Sequence, residues 1–336
     1  MPKPREGSAS FWRDARAAFA LVFRTPIAGF VLYGLAFTVS FAAMHGADLQ
    51  AVASLNSRKV YLWRVLSALP PTAWMLICIF LLSDWERTRS AWPSTRKGWM
   101  VVTFSVLLGM PFIVLPLMAQ YFVWMEDPRV HAAMLTAIPI AHSPTRSVLL
   151  NLIGLASGVL LASVILGLHF QLIDRLPELQ CRAEQPGSEG LEEDVRWYYR
   201  CREQLGIFLT LCCVIMGTSI LGLSSLRHLI NEILPPTAVL PTSPILGYGI
   251  YYTGLLASAY LPAHRALMNV GKTLAERLAR PSLSDSVTWK QRNEEREAAR
   301  IWLGLQRSPL QDFQQGLSVL TPLLASLSSL LLGPGG

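Results

Sequence analysis

Charge is what this chain has least of: only 15% of its 336 residues are Asp, Glu, Lys or Arg, against roughly a quarter in an ordinary soluble domain. A hydrophobic content of 52% and a mean hydropathy of +0.38 accompany that shortage. Together they exclude a disordered chain, which combines low hydrophobicity with high net charge, and weigh against an ordinary cytosolic enzyme. Catalytic motifs are missing as well. His45, His131, His142, His169, His228 and His264 are scattered, and no His-Glu-x-x-His pair sets two imidazoles on one helical face for zinc. No Gly-x-Ser-x-Gly elbow occurs. Gly271-Lys272-Thr273 ends like a phosphate-binding loop, but Ala266 stands where that loop needs its first glycine. Gly247-Tyr248-Gly249 lacks the Thr-Val pair of a potassium filter and opens directly into an apolar run. These absences set the expectation of a protein without enzyme activity, metal or cofactor.

What is present is apolar sequence in long, charge-free runs: Thr25 to Ala47, Val65 to Ser83, Gly98 to Met125, Ser147 to Ile173, Gln204 to Leu226 and Ile233 to His264. About 20 apolar residues cross a hydrocarbon core of roughly 30 Å, so each run is long enough. A soluble bundle would place charge on the outward face of every helix, and these runs have no such face. The expected fold is therefore all-α: a polytopic integral membrane protein with about six transmembrane helices, an N-terminal interfacial helix and cytoplasmic C-terminal helices. Its parts would be residues 1–25 at the cytoplasmic N-terminus, a six-span region over 26–264 and a cytoplasmic tail over 265–336.

Orientation follows from the basic residues, since Lys and Arg are retained on the cytoplasmic side during insertion. Six crossings divide the 29 basic residues 23 to 6 in favour of the side holding both termini, which are thereby expected in the cytoplasm. The Arg-, Ala- and Leu-rich composition, without a eukaryotic targeting signal, suggests a bacterial inner membrane. Cys78, Cys212 and Cys213 fall in spans and Cys181 and Cys201 in a cytoplasmic loop, so reduced thiols are expected. The net charge of +7 suits anionic lipid beside the membrane rather than nucleic acid. Trp12 lies on an amphipathic stretch over residues 8 to 24 that would rest at the headgroup boundary or on the protein's own cytoplasmic part. Trp63, Trp85, Trp92, Trp99 and Trp124 lie near span ends, the positions of an interfacial aromatic belt.

Three further patterns bear on function. Gly154, Gly158 and Ala162 recur at four-residue intervals, a small-residue face that lets two helix backbones approach. Leu317, Leu320, Leu324, Leu327 and Leu331 form a seam with three-four spacing, in an apolar run from Leu317 to Leu332 that is short for a span. Both patterns suit self-association, with packing inside one chain as the alternative. Gln120 and Asn151 are the main strongly polar side chains inside the spans and with Tyr252 would line any cavity, while His169, Asp174 and Arg175 sit at the inner end of the fourth span and Arg227, His228 and Glu232 at the outer end of the fifth. That scarcity argues against a proton-coupled carrier, which needs buried ionisable groups. The acidic cluster Glu189, Glu192, Glu193 and Asp194 reads as a solvated helix start, and the following Arg196 to Arg200 as a basic aromatic strip against the membrane surface. Residues 265 to 312 offer the largest surface for a cytoplasmic partner.

The expected function is a non-enzymatic oligomeric pore or ion-leak effector controlled by the tail. The alternatives are a transporter or accessory subunit, and a membrane-embedded sensor or anchor that recruits a cytoplasmic protein.

Overall fold

The computed structural model describes residues 26–45, 57–83, 85–126, 128, 144–184, 190–233, 243–279, 289–306 and 311. Among these residues the fold is helical without strands. Its elements are α1 (Pro26–His45), α2 (Ser57–Ser83), α3 (Trp85–Ala91), α4 (Arg96–Glu126), α5 (Pro144–Glu184), α6 (Leu191–Ile233), α7 (Ser243–Ala279) and α8 (Trp289–Trp302). Among the described residues three helices are long and apolar enough to cross a membrane, over Val60–Ser83, Leu152–Ala183 and Leu191–His228. A shorter apolar helix covers Gly29–Ala43.

The bundle is built around α2, α5, α6 and α7. Helix α2 packs on α6, α5 on α7 and α6 on α7, while α1 lies on α2, α4 on α5 and α8 on α7. Small residues set the close approaches. A Cβ on Gly222 of α6 would come within 3.2 Å of the Pro70 ring of α2, and one on Gly167 of α5 within 2.7 Å of the Ala91 carbonyl oxygen. The turn after α3 is held there by Gln171, whose side-chain amide donates to the Ser90 and Trp92 carbonyls, and by Gln204, which donates to the Ser90 hydroxyl.

The core is a continuous apolar cluster. Helix α6 contributes Tyr198, Cys201, Leu205, Phe208 and Leu209; α7 contributes Tyr260, Ala263, Leu267, Val270 and Leu274; α5 contributes Leu161, Ile165, Leu168, Leu172 and Leu179. Steps of three and four residues keep each set on one stripe as the helix turns by 100° per residue. The outward faces are also apolar over much of the bundle. Phe30, Leu35 and Val39 on α1 and Met100, Phe104, Leu107 and Leu108 on α4 are all exposed. An apolar surface of that extent on both sides of a helix suits hydrocarbon as the surrounding medium.

Helices α5, α6 and α7, of 41, 43 and 37 residues, would extend about 56 to 65 Å at 1.5 Å per residue, roughly twice a hydrocarbon core. Most of their charge lies at one end, in the last part of α5 from Asp174, the first part of α6 to Glu203 and the last part of α7 from Arg265, while the opposite end carries Arg146 of α5 and Arg227 and Glu232 of α6. The three segments at the more charged end form a three-helix stalk, onto which α8 folds.

Candidate functional site

The stalk is organised by a buried carboxylate. Gly190, at φ 73°, turns the chain into α6 and accepts a hydrogen bond from the Asp194 amide. Asp194 lies one turn before Tyr198, on the stripe that continues through Cys201 and Leu205 into the apolar core, so helical geometry alone carries its side chain inward. It is fully buried. The guanidiniums of Arg175 on α5 and Arg277 on α7 each donate to one of its oxygens at 2.7 Å, and Arg182 on α5 stands 3.6 Å away. Arg277 occupies the corresponding place on its own helix, three residues beyond Leu274 on the buried stripe, and is itself buried. Burying an ion costs several kcal/mol by order of magnitude, recovered only with short, well-aligned charge-assisted bonds. Asp194 has two of these, one to each neighbouring helix, and thus ties α5, α6 and α7 together at a single level.

This differs from the solvated helix start expected for the acidic cluster. Glu192, Glu193 and Asp194 do occupy the first turn of α6, and Glu192 pairs with Arg196 on the exposed face, but Asp194 points the other way. The aromatic residues of the basic strip are also drawn toward the protein, while Arg196 and Arg200 stay exposed. Tyr198 is 1% exposed, and Trp197 lies beneath the Arg175 guanidinium, 4.5 Å from its ring centroid. The signal for this was an acidic residue in register with an apolar stripe, which demands a cationic partner from another helix.

One to two turns further along α6 from Asp194, the end of α8 is capped by side chains of that helix. The helix closes at Gly304, whose φ of 69° lets the Gly304 amide reach the Ile301 carbonyl and the Leu305 amide reach that of Arg300, the paired bonds of a Schellman turn. The last carbonyls of a helix lack intrahelical partners and carry its negative dipole end. Here Tyr199 donates to the Trp302 carbonyl at 2.8 Å, while Arg202 at 2.8 Å and Tyr198 at 3.3 Å donate to that of Leu303. The Tyr199 and Trp302 rings meet edge to face, with centroids 5.7 Å apart. Leu303 is fully buried, and Leu305 lies over Gly271, where a Cβ would come within 2.5 Å of it.

A groove of about 590 Å³ opens along the same face of α6, lined by Tyr199, Arg202, Glu203, Gly206, Ile207, Thr210 and Leu211. Its upper end is polar and touches the α8 cap; its lower end lies in the charge-free run beginning at Gln204.

The residues singled out from sequence are dispersed. Gly154 faces the Trp74 ring of α2, whose atoms would stand 3.0 Å from an added Cβ, so this glycine serves packing within the chain. Nothing approaches Gly158 within 4 Å of that position, and Ala162 is half-buried. Tyr252 is half-buried between Tyr248 and Tyr251, and Tyr251 donates to the Phe112 carbonyl of α4. Gln120, Trp124, Asn151 and Trp85 lie on helices, but their side chains are outside the described set. Trp12 and the leucines at 317, 320, 324, 327 and 331 lie outside the described residues altogether. Trp63 is 3% exposed and so faces the protein, not headgroups. Trp92 is half-buried and donates to the Ser163 hydroxyl at 3.2 Å, and Trp99 is exposed with its ring against Trp92. Gly271-Lys272-Thr273 is continuous helix, a backbone whose amides are occupied and cannot cradle phosphate. Among the described residues no three His, Cys, Asp or Glu side chains gather as a metal site.

The fold and site thus define an all-helical chain with membrane-length apolar helices continuing into a clamped polar stalk. No known protein family, curated protein or solved structure matches it.

Proposed function

We propose that this chain is a non-enzymatic, multi-pass protein of a bacterial inner membrane, with about six crossings and both termini in the cytoplasm, which acts as an oligomeric pore or ion-leak effector under control of its cytoplasmic tail. One observation carries the reading: the helices gripped by Asp194 and contacted by α8 and its closing turn are the same helices that run on into the apolar bundle. A displacement of α8 is therefore delivered to helices that continue into the apolar bundle, with Pro177 inside α5 and Pro262 inside α7 along the way. The basic segments favour this orientation, because the turn near Ser90, the α5–α6 turn and α8 share one end of the bundle. The space between α5, α6 and α7 is filled by apolar side chains, so a conducting path would lie between copies. The open face at Gly158 and the exposed apolar surfaces of α1 and α4 are available for that contact.

Ion efflux from liposomes tests the reading. Protein with Arg202→Ala, which frees the end of α8, should leak at a rate several-fold different from the parent, and both should be oligomeric in detergent. Monomers that leave ion gradients intact with or without residues 289–336 would end it. The alternative of an anchor that recruits a cytoplasmic protein is favoured by Trp289, 80% exposed, and Ile301, 55% exposed, on α8. Partner capture that depends on α8, without flux, is its signature.

A further inference from the structure

We infer that the groove along α6 is the seat of the chain's own apolar run, Leu317 to Leu332, which docks there against Gly206, Ile207, Thr210 and Leu211. The first ground is where the described chain leaves the bundle. Trp302 and Leu303 are held by Tyr199 and Arg202, two residues that line the groove, so the turn closing α8 stands at the groove's polar mouth. The second is length. Ten residues, 307 to 316, separate that turn from the run, a length of at most about 33 Å that is ample for the run to begin at the mouth. From Tyr199 to Leu211 the groove follows α6 for about 18 Å, and the 16-residue run measures about 24 Å as a helix.

Chemistry supplies the third ground. The run is too short to cross roughly 30 Å of hydrocarbon, yet it carries no charge and would be costly to leave in water. A groove that begins among Arg202 and Glu203 and runs along the surface of α6 to Thr210 and Leu211 offers such a segment an apolar seat. As a helix, the three-four seam of Leu317, Leu320, Leu324, Leu327 and Leu331 would present one narrow apolar edge to it, with Ser328 at its border and Ser326 and Ser329 on other faces. Gly206 keeps the floor open, since nothing lies within 4 Å of its missing Cβ.

This inference deepens the tail-control reading and rests on it for its regulatory meaning, but the contact is tested without measuring flux. Full-length protein in native membranes, carrying Cys181→Ser, is given the pair Gly206→Cys and Leu324→Cys, or Thr210→Cys and Leu327→Cys. Mild oxidation should join each pair within one chain, identified by the linked peptide at monomer mass. Removing residues 313–336 should speed maleimide labelling of Gly206→Cys several-fold. Linkage only between two chains would overturn the proposal by seating a second copy in the groove. Absence of linkage for both pairs, with labelling unchanged by truncation, would overturn it in favour of lipid or residues 8–24. Linkage within one chain that leaves liposome efflux unchanged would uphold the docking and remove tail control.

Discussion

The apolar bundle and the stalk are built on the same three helices, yet they are held by opposite means. In the bundle, α5, α6 and α7 meet through Leu168, Phe208 and Leu267, and α5 and α7 show apolar side chains outward as well, at Leu152 and Ile250. In the stalk, the same stripes end in Asp194 and Arg277, and the outer faces carry charge. The bundle is close-packed at small residues such as Gly154 and Gly222, the means of association available where hydrocarbon surrounds helices. The charged stalk gains registration from one fully used buried carboxylate. Packing tolerates small errors at many places, whereas an ion cluster concentrates its contribution at one.

The sharpest way to break that contrast is Asp194→Ala. It leaves the buried Arg277 without its carboxylate, and losing one partner of such a pair costs about 3–5 kcal/mol. Thermal unfolding in detergent should show a stalk transition well below the parent, with the bundle's helical signal retained. A single transition shifted by under a degree would refute a clamping role. Next comes a pair of changes in the bundle. Gly154→Leu forces its side chain against Trp74 and should cost about 1–3 kcal/mol by overpacking, while Gly158→Leu, one turn away in open space, should be nearly silent in the monomer. Equal losses of thermal stability would show that the two glycines do not differ as their surroundings indicate.

Smaller still is Tyr199→Phe, which removes one hydrogen bond to the Trp302 carbonyl, worth about 0.5–1.5 kcal/mol. Limited proteolysis between α7 and α8 should quicken several-fold; an unchanged rate would mean that this bond does not hold α8. The least effect belongs to Arg196→Ala. Its pair with Glu192 is exposed and follows the i,i+4 pattern worth about 0.3–0.5 kcal/mol, so the melting temperature should hardly move. A large shift there would blur the distinction between the buried and exposed faces of α6.

Much of the helical layout was legible in the chain. The charge-free runs are read directly as helices because one continuous polarity needs no knowledge of neighbours: Ser147 to Ile173 and Gln204 to Leu226 lie inside α5 and α6. The site was far less legible. Asp194 resembled its neighbours Glu192 and Glu193, and only its register with Tyr198 and Leu205 separated them. The carbonyls of Trp302 and Leu303 have no sequence signature at all, since every residue carries one. Gly154 and Gly158 looked equivalent, because a four-residue interval identifies a face without saying what covers it.

Sequence by itself determined that long stretches of this chain form apolar helices and that polar sequence accumulates at their ends, since both follow from side-chain polarity and the 3.6-residue turn. Tertiary structure alone decided which acid is buried, which arginines meet it, which glycine is filled by a ring and where α8 ends. Those outcomes depend on distances between residues as far apart in the chain as Asp194 and Arg277, or Tyr199 and Trp302, and a linear pattern holds no measure of them until the helices have packed.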